Sequence, residues 1–107
     1  QENQGYLGIQ GKDIDEEMAK AYDMPQGIYV YKVVEGGAAA SSDLKAKDII
    51  TKFDGQSVRS MEELKNMLTY YESGRKVDLT VQRLDDSGKY VEKTVSITLG
   101  KREAQEQ

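Results

Sequence analysis

Gly5-Tyr6-Leu7-Gly8-Ile9 opens the ordered part of the chain with an aromatic, an aliphatic, a glycine and a second aliphatic. Only glycine lets a backbone turn with positive φ or approach a neighbour this closely at no steric cost. Leu7 and Ile9 supply apolar walls on either side of Gly8. Successive N–H groups in such a turn can form a concave nest that attracts an anion such as a carboxylate. The same five residues also suit an ordinary loop before an edge strand, so the rest of the chain has to choose between the two.

Working outward, residues 8–12 read as a short strand. Asp13 is the expected N-cap of a first helix, with Glu16 three residues on as its capping-box partner. Ile14, Met18, Ala21 and Tyr22 make its apolar stripe, and Pro25 and Gly27 end it. Residues 27–34 are β-branched and aromatic on both faces, the pattern of a central strand. Gly36-Gly37 breaks it, and Ala38-Ala39-Ala40 forms a tight helical turn. Residues 48–53 are a further strand ending in the Asp54-Gly55 turn signal.

The second helix is the clearest element. Ser60-Met61-Glu62-Glu63 is a capping box, and Leu64, Met67, Leu68 and Tyr71 share one face. Gly74 is its natural stop. Val77, Leu79 and Val81 alternate with polar residues, as do Val91, Val95, Ile97 and Leu99. Asp85-Asp86-Ser87-Gly88 joins the two runs into a hairpin. The implied architecture is α+β: a small β-sandwich or partly open barrel of five to six strands capped by two α-helices.

Composition narrows the function. The 107 residues fit one domain, with 37% hydrophobic and 32% charged residues, so the core is modest and the surface well solvated. Histidine and cysteine are absent. That removes the Ser-His-Asp and Cys-His catalytic units and any imidazole or thiolate metal site, and no metal or other cofactor is expected. A net charge of −4 argues against nucleic acid as a partner. No apolar run approaches the ~18–20 residues of a membrane span, so no direct insertion by this chain is expected. Gly5-x-x-Gly8-x-x-Gly11 lacks the preceding strand of a dinucleotide site. The turn acids at 85–86 lack the alternate ligand spacing of a calcium loop.

The order of these elements resembles a PDZ domain, in the permuted form attached to HtrA/DegP-type bacterial serine proteases. Tyr6-Leu7-Gly8-Ile9 is similar to the family's carboxylate-binding loop, and residues 24–30 to its helix-to-strand passage. Residues 37–50 resemble the segment Ser-Pro-Ala-Ala-x-Ala-Gly-Leu-x-x-Gly-Asp-x-Ile, and residues 53–58 the turn before the groove helix. Ala39, Ala40, Leu44, Asp48 and Ile50 match that segment. Ala38 replaces its proline, and Asp43 and Lys47 replace its two glycines. Asp43 suits a left-handed backbone better than most residues do, whereas Lys47 does not.

The resemblance implies a domain over 5–99, an N-terminal remnant at 1–4 and a charged flexible tail at 100–107. It implies that the N–H groups of Leu7, Gly8 and Ile9 hold the C-terminal carboxylate of a peptide. The peptide strand would pair along Ile9, Gln10 and Gly11. Tyr6, Leu7, Ile9, Met61, Leu64, Lys65 and Leu68 would receive its side chains, with Leu64 and Leu68 also serving the core. The other tyrosines carry no motif and read as core edge or surface. The expected partners are C-terminal segments of unfolded or envelope proteins, beside an attached protease domain, at an extracytoplasmic location. A C-terminal-processing protease, a membrane-embedded metalloprotease or a secretion protein is the alternative parent.

Overall fold

The computed structural model describes residues 4–101; the expectations for 1–3 and 102–107 lie outside the described residues. Gly5–Tyr6 (β1) leads into Ile9–Ile14 (β2), Glu16–Tyr22 (α1) and Gly27–Val33 (β3). A 3-10 turn at Ala39–Ser41 precedes Ile49–Phe53 (β4) and Gln56–Ser57 (β5). Met61–Leu68 (α2), Lys76–Leu84 (β6), Tyr90–Thr98 (β7) and Gly100–Lys101 (β8) follow. The main sheet is antiparallel, ordered β2-β3-β4-β6-β7, with β5 beside β4. It provides six strands, as expected. The pair β1–β8 is additional, because Gly5 and Tyr6 face Lys101 and Gly100. Paired structure therefore runs two residues past the expected boundary at 99, and Gln4 also forms a bridge, with Glu72.

The core gathers on the strands and on the apolar face of α2. Ile28, Val30, Ile50, Phe53, Leu79 and Val81 are fully buried, and α2 adds Leu64 and Leu68 from above. The expected first helix is displaced. Asp15, not Asp13, is its N-cap, with the carboxylate accepting from the Met18 N–H at 2.8 Å. Ile14 is consequently a buried strand residue, and α1 buries nothing; Tyr22 is 68% exposed. The helix ends at Asp23, which adopts φ 55 and donates its N–H to the Ala19 carbonyl. The capping box of α2 forms in a shifted version. Ser60 Oγ accepts from the Glu63 N–H at 3.1 Å, and Glu63 reaches back to the Arg59 N–H at 2.8 Å.

β6 and β7 pair along their whole length, from Lys76–Thr98 to Leu84–Tyr90. Val77, Leu79 and Val81 stand against Ile97, Val95 and Lys93 on the core face. Beyond them the face leaves the core, which puts Val91 at its edge, 37% exposed and not in the buried run expected from its alternation. The turn is built by Asp85, whose carboxylate accepts from Ser87 N–H, Ser87 Oγ–H and Lys89 N–H at 2.7–2.9 Å. Those hydrogen bonds, that of the Lys89 backbone first, hold its carboxyl below the usual range.

The segment that departs from the family pattern has its own fastening. Asp48 is 1% exposed and accepts two bonds from Arg83, from Nε and Nη2, both at 2.8 Å. The Lys45 N–H donates to the same carboxylate at 3.0 Å, and Arg83 Nη2 also donates to the Asp43 carbonyl at 2.9 Å. The hydrogen bonds to Asp48 raise the Arg83 pKa further above its already high value. Asp43 thus serves as a partner for Arg83 and not as a left-handed residue; Lys47 takes the positive φ, at 80.

Two predictions follow from this turn. Lys47→Gly removes a side chain from a left-handed position, where a non-glycine residue costs about 1–2 kcal/mol. After the added unfolded-state entropy of glycine, thermal unfolding should show a gain of about 0.5–1 kcal/mol; an unchanged or lower melting temperature would contradict it. Asp48→Ala takes from the half-buried Arg83 its buried carboxylate and leaves only the exposed Asp43 as a charged partner. Urea unfolding should show a loss of about 3 kcal/mol, and a loss under about 1 kcal/mol would mean that Arg83 finds water instead.

Candidate functional site

The loop between β1 and β2 is shaped by its carbonyls. Leu7 C=O accepts from the Ala39 N–H at 2.8 Å, and Gly8 C=O accepts from the Val34 N–H at 2.8 Å. Every peptide here is trans. In a trans unit the N–H points opposite to the carbonyl it follows. The N–H groups of Gly8 and Ile9 are therefore turned away from the body of the domain. Ile9 also stands opposite Val33. With Val34 bonded to Gly8, this antiparallel pair does not exchange its own hydrogen bonds, so Ile9 directs both N–H and C=O away from β3. β2 is the terminal strand of its sheet among the described residues, which leaves that edge free.

Gly8 is required at its position on two counts. Its φ is 79, and a Cβ there would stand 3.0 Å from the Gly37 Cα. Tyr6 lies beneath the loop, its ring edge 3.5 Å from that same point. The loop is fastened on the other side by the Gly5 N–H, which donates to the Tyr71 carbonyl at 2.7 Å. Tyr71 is itself well held. Its ring meets Phe53 edge-on at 4.9 Å, Arg75 stacks over it at 4.5 Å, and its hydroxyl donates to Asp54 at 2.7 Å. That bond to Asp54, and then burial, raise the phenol above its ordinary pKa.

Between β2 and α2 lies a cleft of about 560 Å³. Tyr6, Leu7, Gly8, Ile9, Gln10, Gly11, Met61, Leu64, Lys65 and Leu68 all line it, so the fold brings together every site residue expected from the sequence. They differ in depth. Leu7, Leu64 and Leu68 are 2%, 1% and 7% exposed and belong to the core, so they form a floor. Ile9 and Met61 are half-buried and pack on that floor, and Lys65 is exposed at the rim.

Five further residues line the cleft: Gln4, Gly5, Tyr31, Asn66 and Thr69. Thr69 could have been found in the sequence, since Met61, Lys65 and Thr69 repeat at i, i+4 along one helix edge. Tyr31 could not. Gln10 faces Lys32 while Gly11 faces Val30, so a bulge leaves Tyr31 without an opposite residue. The side chain is turned outward, 55% exposed, as its reading as core edge or surface expected, but its place on the cleft follows only from the pairing of β2 with β3.

Charge sets the cleft apart from the rest of the surface. The chain carries 19 Asp and Glu residues, yet none lines the cleft among the described residues; Lys65 is its one charged side chain. No group of three or more potential metal ligands exists among the described residues. The arrangement offers outward N–H groups at one end, an apolar floor, a free strand edge and a cationic rim.

Residues 5–99 match the PDZ domain family. The chain is 37% identical over 97 residues to the periplasmic pH-dependent serine endoprotease DegQ of Escherichia coli, covering 89% of this chain and 20% of DegQ. It is 32% identical over 100 residues to a probable periplasmic DegP-like serine endoprotease of Chlamydia muridarum, covering 92% of this chain and 20% of that protein. It thus spans about a fifth of the length of these curated relatives. Among solved structures, the HtrA-type protease AlgW with tripeptide superposes with a TM-score of 0.75 at 27% identity, over 96% of this chain and 33% of that one. The HtrA3 PDZ domain bound to a phage-derived ligand gives 0.68 at 24% identity, over 90% and 85%. The chain belongs to the PDZ domain family, in the form found in HtrA/DegP-type proteases.

Proposed function

We propose that this domain binds the C-terminal end of a protein chain in the cleft between β2 and α2 and presents it to an attached HtrA-type serine endopeptidase. The carrying observation is the cleft's charge. In an acidic protein it holds no carboxylate among the described residues, and both Lys65 at its rim and the outward N–H groups of Gly8 and Ile9 line it. The ligand carboxylate sits on the N–H groups of Leu7, Gly8 and Ile9, each charge-assisted bond contributing about 1.5–3 kcal/mol. Its last side chain, aliphatic or aromatic, enters over Leu7, Ile9, Leu64 and Leu68. A Val- or Leu-sized group contributes about 1.5–3 kcal/mol there. The preceding residues pair with the free edge at Ile9, Gln10 and Gly11 as an added strand.

Ordering a flexible peptide costs about 2–5 kcal/mol, which leaves a weak, reversible complex on the order of micromolar to hundreds of micromolar. That regime suits the sampling of exposed ends of unfolded or envelope proteins. Names of the relatives support the setting: DegQ and the DegP-like proteins are periplasmic serine endoproteases, which favours an extracytoplasmic location for the parent of this domain.

Calorimetry with matched free-acid and C-terminally amidated peptides ending in an aliphatic residue tests the reading. The free acid should bind at least about tenfold more tightly, the equivalent of losing one good charged hydrogen bond. Equal affinities would overturn the carboxylate role of the loop.

A further inference from the structure

Asp13 does not cap α1. It reaches the other way, and its carboxylate accepts from the Met61 N–H at 2.8 Å across 48 positions of chain. Among the described residues this is the one side-chain hydrogen bond that joins β2 to α2. Just before it, Gly11 leaves room that Met61 occupies: a Cβ on Gly11 would lie 2.9 Å from the Met61 sulfur. The cleft ends at the same place. Gly11 and Met61 line it, and Lys12 and Asp13 do not.

We infer that Asp13 and Met61 form a stop at this end of the cleft, which confines the enclosed seat to the last three residues of a bound C terminus. The inference rests on the peptide reading of the cleft and deepens it. A strand added to β2 with its carboxylate at Gly8 and Ile9 runs antiparallel to β2, one ligand residue per β2 residue. Alternate residues face the same side. The last ligand residue then stands beside Ile9, and the third from the end beside Gly11, under the Met61 side chain. The fifth from the end meets Asp13, where the bond to the Met61 N–H bridges the gap between strand and helix. Ligand residues before the third from the end therefore run outside the cleft and add little to binding.

Calorimetry with a free-acid tripeptide and a decapeptide sharing its last three residues tests the stop, on the native domain and on Asp13→Ala. The native protein should bind the two within about twofold. Asp13→Ala should bind the decapeptide at least about fivefold more tightly than the tripeptide, since the bridge is gone. Asp13→Asn keeps an acceptor oxygen and should behave as native. A native protein that gains the same factor on lengthening the ligand overturns the stop, whatever becomes of the variant. An amidated tripeptide that binds as well as the free acid overturns the peptide reading instead. Hydrogen exchange at the Met61 amide separates the two without any ligand. Protection in the native domain that is lost in Asp13→Ala supports the bridge, and fast exchange in both overturns it.

Discussion

Two carbonyls determine what the loop ahead of β2 can do. Leu7 and Gly8 direct their C=O groups to Ala39 and Val34, and peptide planarity then turns the following N–H groups outward. An unpartnered N–H is costly if buried and useful if exposed. Here the same bonds that attach the loop to the body of the domain leave donors facing the cleft. The contact between Gly8 and Gly37 allows this only because neither residue carries a side chain.

The helix α2 bears two demands at once. Leu64 and Leu68 complete the core, while Met61, Lys65 and Thr69, one helix edge away, line the cleft. The floor of the cleft is therefore part of the close-packed core, while its rim is half-buried or exposed. Close packing of this kind lets a change beneath the floor shift the rim without touching it. The fastening of Gly5 to Tyr71 ties the loop to the chain just beyond the helix, and Asp13 ties β2 to the helix start. Strand and helix are thus held at both ends of the cleft.

The turn at residues 43–48 shows how a domain tolerates the loss of pattern glycines. Asp43 avoids the left-handed region and contributes its carbonyl and carboxylate to Arg83. Lys47 keeps the positive φ despite its side chain, which is exposed and therefore unhindered. The pair of buried Asp48 and half-buried Arg83 anchors the turn to β6. A pair of this kind contributes less to net stability than to geometry, because desolvation offsets much of its attraction.

The sequence by itself determined most of the architecture. Alternation located β6 and β7, the run before the Asp54-Gly55 turn located β4, the Ser60 capping box located α2, and the glycine loop with the order of elements identified the family. These signals are local, within a few residues of chain, where propensity and periodicity act. It also named ten of the residues that line the cleft, because loop and helix edge each carry their own pattern. Only tertiary structure decided the rest. Asp13 and Asp15 both offer a capping carboxylate to α1, and the choice fell to Asp15 because a helix 48 residues away presents an unsatisfied N–H to Asp13. Tyr31 entered the cleft through a bulge that exists only when β2 and β3 pair. Gly100 and Lys101 joined a strand whose partner lies at the opposite end of the chain. Each of these outcomes rests on a hydrogen bond between residues distant in sequence, and no local pattern records where a distant partner will be.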